Sequence, residues 1–137
     1  MNILFVCRGN VARSQMGEVL LRKYAKGQHE IISCGTKLSG PEQPLQELGP
    51  IVDNLIEAMK EEGIDVSNNI RNQLTPEMVE WADKIFMITD ENDPVPDYLK
   101  DSTKTTHWEL PDPKGQSLEF HRDVRDKIKQ LIIESGL

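Results

Sequence analysis

The strongest constraint on the fold is a short apolar run, Ile3-Leu4-Phe5-Val6, that passes directly into Cys7 and then into Gly9-Asn10. Continuous β-branched and aromatic residues are typical of a strand that is buried on both faces. After the Gly-Asn pair, apolar residues recur at helical spacing until Gly27, at Met16, Val19, Leu20 and Tyr24. The start of the chain therefore predicts a buried strand, a tight turn and an amphipathic helix.

The same alternation continues along the chain. We predict further strands over 29–33, 84–88 and 105–108, and further helices over 52–62, 76–82 and 118–133. The segment 38–50 contains three prolines and is predicted to be an irregular surface loop. Alternating strands and helices favour a parallel sheet with helices on both faces. In such a sheet the ligand site lies at the carboxyl ends of the strands.

Composition restricts the class of protein. The 137 residues are enough for one domain, which we expect to span residues 1–137. Asp and Glu outnumber Lys and Arg by 23 to 16, and this net charge of −7 argues against a nucleic-acid binder or a basic membrane-surface protein. Two cysteines are too few for a disulfide scaffold or a four-cysteine zinc site. No signal peptide or membrane span is expected, and the predicted location is cytoplasmic.

The most informative motif joins the first strand to the first helix and reads Cys7-Arg8-Gly9-Asn10-Val11-Ala12-Arg13-Ser14. Its backbone N–H groups and the helix dipole favour an anion, so Cys7 is placed where the thiolate is stabilised. Arg13 can fold back and hold two oxygens of a phosphate-like anion. Gly9-Asn10 tolerates a left-handed backbone, and Ser14 can donate a hydrogen bond to the Cys7 sulfur. The motif predicts a cysteine nucleophile in a phosphate-binding loop.

Four motifs resemble those of the low-molecular-weight protein tyrosine phosphatases and of their relatives, the thiol-linked arsenate reductases. They are Val6-Cys7-x-Gly9-Asn10-x-x-Arg13-Ser14, Ser33-Cys34-Gly35-Thr36, Ala82-Asp83-Lys84-Ile85 and Asp112-Pro113. The resemblance covers essentially the whole chain. Together with the alternation of elements, it implies a flavodoxin-like three-layer α/β sandwich with a four-stranded parallel sheet.

The loop and the resemblance together give the expected chemistry. Cys7 is the nucleophile, Arg13 binds the oxyanion, and the resemblance implies that Asp112 acts first as general acid and then as base. The other residues expected to bind substrate are Arg8, Gly9, Asn10, Val11, Ala12 and Ser14. We predict phosphomonoester hydrolysis, like that of a protein tyrosine phosphatase, through a phosphocysteine intermediate and without a cofactor or metal. The expected substrate is a phosphorylated protein or a small phosphomonoester, and the expected ligands are oxyanions such as phosphate and arsenate.

The alternative is an arsenate reductase that uses Cys7 and an external small thiol. The segments Ser14-Gln15-Met16-x-Glu18 and His107-Trp108-x-x-x-Asp112-Pro113 look more like that branch. Reductases that use thioredoxin carry two further cysteines after the third strand, and residues 88–101 contain none. An aromatic residue also usually follows Asp-Pro in the tyrosine phosphatases, whereas Lys114-Gly115 follows it here, which puts phosphotyrosine specificity in doubt.

Three minor features leave alternatives open. Cys34 is interpreted as a small buried residue, with a redox partner of Cys7 as the alternative. Some reductases bind potassium beside the loop, and the matching residues here are Asn10, Glu18, Ser33 and Asp65; ordinary hydrogen-bonding and surface roles are favoured for them. The acidic run Asp90-Glu91-Asn92-Asp93 is predicted to be a solvated loop.

Overall fold

One parallel sheet organises the chain in the computed structural model, which describes residues 1–137. Its strands are β1 (Asn2–Cys7), β2 (Glu30–Gly35), β3 (Lys84–Thr89) and β4 (Thr105–Glu109), in the spatial order β2-β1-β3-β4. Every pairing is parallel. The strand order is that of a doubly wound sheet, in which the direction of winding reverses beside β1. The predicted four-stranded parallel architecture is confirmed.

Five α-helices cover the two faces of the sheet. They are α1 (Arg13–Tyr24), α2 (Asp53–Lys60), α3 (Pro76–Trp81), α4 (Asp97–Lys100) and α5 (Leu118–Ser135). The first two and α5 pack together on one face, and α3 and α4 lie on the other. Thr75 caps α3 by accepting a hydrogen bond from the Met78 N–H, with Pro76 in the first turn.

The alternation of side chains along β1 divides the core in two. Ile3 and Phe5 belong to the larger cluster under α1 and α5, whereas Leu4 and Val6 belong to the smaller cluster under α3 and α4. All four side chains are fully buried, as expected for a central parallel strand. The first strand is therefore fixed between two packed layers, and its carboxyl end is a rigid base for the residues that follow.

The segment 38–50 differs from the predicted surface loop. A 3₁₀ helix spans Leu45–Val52, with a kink at Gly49, where φ is 77°. Leu45 is completely buried in the larger cluster, so this segment contributes to the core. The short helix α4 was also not predicted. None of the helices is both long and apolar enough to traverse a bilayer.

Candidate active site

A small cavity of about 90 Å³ opens at the carboxyl end of β1, where ligands bind in sheets of this type. Its lining contains Cys7, Asp112 and several cations; the full set is Cys7, Arg8, Gly9, Val11, Ala12, Lys37, Ser39, Arg71, Asp112 and Lys114. The largest surface depression, about 560 Å³, lies near Met1 and His29 at the opposite end of the sheet and contains no nucleophile. Chemistry and topology therefore both indicate the smaller cavity.

The loop between β1 and α1 takes its shape from Asn10. This residue has φ of 51°, and it is the one non-glycine residue in the left-handed region, as the sequence predicted for this turn. Gly9, the other residue expected to tolerate such a backbone, does not adopt it. A Cβ added at Gly9 would meet its neighbours at ordinary van der Waals distances. The Gly9 carbonyl accepts hydrogen bonds from Arg71.

A buried polar network holds the loop from behind. The Asn10 Nδ2 donates to Ser14 Oγ at 2.7 Å and to Ser33 Oγ at 3.1 Å. The Asn10 Oδ1 accepts from the Asn72 backbone N–H at 2.8 Å and from Gln15 Nε2 at 3.2 Å. Because every hydrogen-bonding site of this buried amide is used, the network fixes one loop conformation.

Ser14 connects this network to Cys7. Its Oγ lies 2.9 Å from the Cys7 Sγ. Since the Ser14 Oγ already accepts a hydrogen bond from Asn10, its own proton is free to be donated to the sulfur. Ser14 and Asn10 are both completely buried and do not line the cavity. The side chains of these two predicted substrate-binding residues therefore support the loop and the sulfur, whereas Arg8, Gly9, Val11 and Ala12 line the cavity.

Gly35 allows the loop to lie close to the sheet. It pairs with Cys7 at the end of β1 and β2. A Cβ on Gly35 would come within 2.6 Å of the Arg8 carbonyl oxygen and 2.8 Å of the Asn10 nitrogen, both of which are backbone atoms. No flexible side chain can move to relieve such a contact, so the close approach requires glycine here.

Arg13 is not among the lining residues but lies beside one of them, Asp112, with 1% of its own side chain exposed. Its Nη1 donates to Asp93 Oδ2 at 2.8 Å and to the Leu110 carbonyl at 3.0 Å. Its Nε and Nη2 have no hydrogen-bond partner, although both are buried. One edge of the guanidinium is therefore held by the protein, and the other retains two donors in the arrangement that suits a bidentate oxyanion.

Two carboxylates accompany Arg13. Asp112 Oδ2 lies 3.7 Å from Arg13 Nη2, and its side chain is 38% exposed at the cavity. Burial alone would lower the pKa of Arg13, but the nearby Cys7, Asp93 and Asp112 together raise it above its ordinary value. Arg13 therefore carries a permanent positive charge in a largely water-free position.

Asp93 is a site residue that its sequence context does not reveal. The acidic run predicts a solvated loop, but only 4% of the Asp93 side chain is exposed and its carboxylate is paired with Arg13. Burial would raise the pKa of Asp93, but hydrogen bonds from Arg13 and from the Asp90 N–H outweigh that effect and lower it. No local pattern distinguishes Asp93 from the other acidic residues, because its partner is 80 positions away.

Arg71 is the second site residue that was missed. Its side chain is 1% exposed, and its Nε and Nη2 donate to the Gly9 carbonyl at 3.2 and 3.1 Å. Its Nη1 donates to the Ser39 carbonyl at 3.1 Å. Arg71 thus connects the phosphate loop to the segment after β2, and it does so from the wall of the cavity. Its sequence neighbours form no motif that could have identified it.

Cys34 is a small buried residue, as favoured from the sequence. It is completely buried in the smaller core cluster and is a free thiol. Cys34 pairs with Val6 in the sheet, whereas Cys7 pairs with Gly35, so the two cysteine side chains belong to opposite faces of the sheet. Burial raises the pKa of Cys34, and the neighbouring Cys7 adds to that effect. This arrangement disfavours a direct Cys7–Cys34 redox pair.

Three of the four residues considered for potassium are linked by hydrogen bonds. Asn10 donates to Ser33 Oγ, and Ser33 donates to Glu18 Oε1 at 2.6 Å. The other Glu18 oxygen pairs with Arg22 at 2.6 Å, so an arginine already supplies positive charge there. Asp65 is exposed and accepts a hydrogen bond from the Ser67 N–H instead. The favoured structural roles of these residues agree with this geometry.

A cysteine in a short loop between the first strand and the first helix of a parallel sheet, beside a buried arginine, defines the class of cysteine-dependent phosphatases, some of which act as arsenate reductases. A model of the family described as low molecular weight phosphotyrosine protein phosphatase matches residues 2–134. The chain belongs to this family, as the sequence motifs predicted.

Similar proteins include both branches of the family. Arsenate reductase 2 of Staphylococcus epidermidis is 32% identical over 130 residues, which cover 95% of this chain and 92% of that protein. The low molecular weight protein tyrosine phosphatase from T. tengcongensis has a TM-score of 0.80 at 25% identity, covering 100% of this chain and 99% of that one. An arsenate reductase in the phosphate binding state has a TM-score of 0.76 at 26% identity, covering 98% and 95% of the two chains.

Proposed function

We propose that this protein hydrolyses phosphomonoesters through a phosphocysteine intermediate on Cys7. The observation that supports this function is the position of Asp112, which lines the same cavity as Cys7. The Asp112 carboxylate lies 3.7 Å from Arg13 Nη2, a nitrogen that has no hydrogen-bond partner. Nucleophile, oxyanion donor and proton donor are then present together, as displacement at phosphorus requires.

In the first step, the Cys7 thiolate attacks phosphorus while the bond to the ester oxygen breaks. The departing oxygen takes the proton of the Asp112 carboxyl group, so the alcohol leaves neutral and an S–P bond is formed. The free Nε and Nη2 of Arg13 and the amides of the loop from Arg8 to Ser14 hold the three non-bridging oxygens.

In the second step, water attacks phosphorus and the S–P bond breaks. The Asp112 carboxylate accepts a proton from this water, inorganic phosphate is released and Cys7 returns as a thiolate. Ser14 stabilises this leaving sulfur by donating to it at 2.9 Å. The Asp93 pair and the Asn10 network keep Arg13 and the loop in place throughout, which limits reorganisation during both steps.

Arsenate reduction is the second candidate, because a curated relative at 32% identity is an arsenate reductase. In this reaction Cys7 would form a thiol-arsenate adduct with loss of water. Two external thiol equivalents would then supply the two electrons that convert arsenate to arsenite. The thiols must be external, because Cys34 is buried on the opposite face of the sheet and the chain contains no other cysteine besides Cys7.

Steady-state assays with para-nitrophenyl phosphate, and with arsenate plus glutathione, distinguish the two reactions. We expect phosphate release that is abolished in Cys7→Ser and slowed by about 10²- to 10⁴-fold in Asp112→Asn, since loss of a general acid has effects of this size. Rapid quenching should also trap a phosphorylated Cys7. Arsenite production dependent on glutathione, without appreciable phosphate release, would instead establish the reductase.

A further inference from the structure

The mouth of the cavity is cationic in an otherwise acidic protein. Arg8, Lys37, Arg71 and Lys114 all line it, and Asp112 is the only carboxylate among the lining residues. The chain as a whole has a net charge of −7. Four cations from separate parts of the chain therefore converge on one small site, against the overall charge of the protein.

These four cations form no ion pair. None of them lies within 4.0 Å of a carboxylate oxygen, whereas all four other arginines and two of the eight other lysines do. The paired cations are Arg13, Arg22, Lys23, Arg122, Arg125 and Lys129. Arg71 is the buried member of this group, and a buried charge without a counter-ion is a cost in a folded protein, so its position at the cavity indicates an anionic ligand. The exposed Arg8, Lys37 and Lys114 add positive potential at the same mouth.

Arg71 gives this charge a fixed position. Its side chain is almost completely buried, and its three nitrogens donate to the carbonyls of Gly9 and Ser39. These bonds use three of its five N–H groups, so two donors are left. Burial lowers the pKa of Arg71, and the nearby Cys7 offsets part of this effect.

The lining also lacks the groups that would hold an aromatic leaving group. No Phe, Tyr or Trp is among the residues at the cavity, so a phosphotyrosine ring would find no aromatic side chain to stack on. The phosphoryl group itself is matched by Arg13 and the loop amides. The four cations at the mouth are then available to the remainder of the substrate.

We propose that the physiological substrate carries a second anionic group, a carboxylate or a second phosphate, on the leaving-group side of the phosphoester. Arg71, Lys37 and Lys114 bind this second group and determine specificity. The proposal deepens the proposed hydrolase function and rests on it for the reaction. The binding step, however, can be tested without turnover.

Binding is tested with two nearly isosteric, non-hydrolysable ligands, phosphonoacetate and carbamoylmethylphosphonate, by calorimetry on the wild-type protein at a pH where both phosphonates are dianions. We expect phosphonoacetate to bind about tenfold more tightly at low ionic strength, because its carboxylate can form charge-assisted hydrogen bonds. This ratio should fall at high salt. Equal affinities would overturn the proposal.

Turnover is tested with 4-(carboxymethyl)phenyl phosphate and its carbamoylmethyl analogue, which have similar leaving groups. A higher kcat/KM for the carboxylate is expected. If both esters are hydrolysed equally and both phosphonates bind equally, the hydrolase function stands and the second-anion proposal fails. If neither ester is hydrolysed but phosphonoacetate is preferred, the hydrolase function fails and the anion subsite stands.

Substitutions assign the preference to residues. Lys37→Gln and Lys114→Gln should each lower the phosphonoacetate preference by a few-fold, and Arg71→Gln should lower it further because Arg71 is buried. Lys26→Gln removes the same charge from an exposed position after α1, at the far end of the sheet, and should leave the preference unchanged. A preference that survives all three cavity variants, or that falls equally in Lys26→Gln, would overturn the assignment.

Discussion

Two regions of the molecule contain clusters of cations that differ in whether carboxylates pair with them. Where α1, α2 and α5 meet, Glu61 pairs with Arg122 and Arg125, and Glu62 pairs with Lys23 and Lys129. At the mouth of the cavity, the four cations have no carboxylate partner. The first region neutralises its charge within the protein, whereas the second leaves its charge available to a ligand.

The pKa values show the effect of pairing. Hydrogen bonds from Arg122 and Arg125 lower the pKa of Glu61 to about 2. Burial would raise the pKa of Glu62, but Tyr24, Lys129 and Lys23 lower it to about 2. These carboxylates hold three helices together, so the region contributes to stability. The comparison therefore predicts that changes at the cavity affect chemistry and ligand response, and that changes between the helices affect stability alone.

Asp93→Asn should show the largest functional difference between the two regions. Removing this charge frees Arg13 Nη1 from its 2.8 Å ion pair, so the guanidinium loses its fixed orientation. We expect kcat to fall about 10²-fold, since misplacing a catalytic group by about 1 Å has effects of this size. Glu61→Gln, which also removes one paired carboxylate, should leave kcat unchanged. Equal effects of the two variants on kcat would contradict a positioning role for Asp93.

Phosphate should stabilise the protein through the cavity. At a concentration of 100 times its Kd, inorganic phosphate should raise the free energy of unfolding by about 2.7 kcal/mol. Arg13→Lys should lose most of this increment at the same phosphate concentration, because a lysine cannot offer two parallel donors to the anion. Urea unfolding with and without phosphate measures this increase in the free energy of unfolding for each protein. Glu62→Gln is the matched control, and a reduced increment in that variant would show that the two regions are coupled.

The helix-layer pair should show the opposite behaviour, with a smaller effect. Glu62→Gln should lower the free energy of unfolding at neutral pH by about 1 kcal/mol, since solvent screens such pairs. The pKa of Glu62 is lowered by folding, from 4.5 to about 2, so the ionised form is the one that folding favours. Its contribution is therefore complete above about pH 4.5 and is lost as the pH falls towards 2. Urea unfolding of both proteins across this range should show the difference disappearing.

The elements and the loop were predictable because their signals are local. A continuous apolar run gave β1, and the residue types of the motif from Cys7 to Ser14 placed the nucleophile loop at its end. The 3₁₀ helix over Leu45–Val52 was missed because Gly49 and Pro50 are typical of loops, although Leu45 is anchored in the core by tertiary packing. Three prolines in a segment exclude regular helix, but they do not exclude burial.

Asp93 and Arg71 were missed for a different reason. Each acts on the loop from a distant part of the chain, Asp93 through Arg13 and Arg71 through the Gly9 carbonyl, at separations of 80 and 62 residues. An acidic residue in an acidic run, or an arginine in a polar segment, has the composition of ordinary surface. Only the topology that brings β1, β3 and the segment after α2 to one edge of the sheet shows their role.

The network behind the loop has a consequence for how such proteins diversify. Asn10, Ser14 and Ser33 fix the loop entirely from the buried side, and none of them reaches the cavity. Lys37 and Lys114 lie at the mouth of the cavity on two separate segments, and their side chains form no hydrogen bond with that network. The Lys37 backbone N–H donates to the Arg8 carbonyl at 2.9 Å, but any residue except proline can form that bond. Mutation can therefore exchange the front residues one at a time while the reactive centre is inherited intact. A scaffold built in this way can acquire new substrates by drift at its rim.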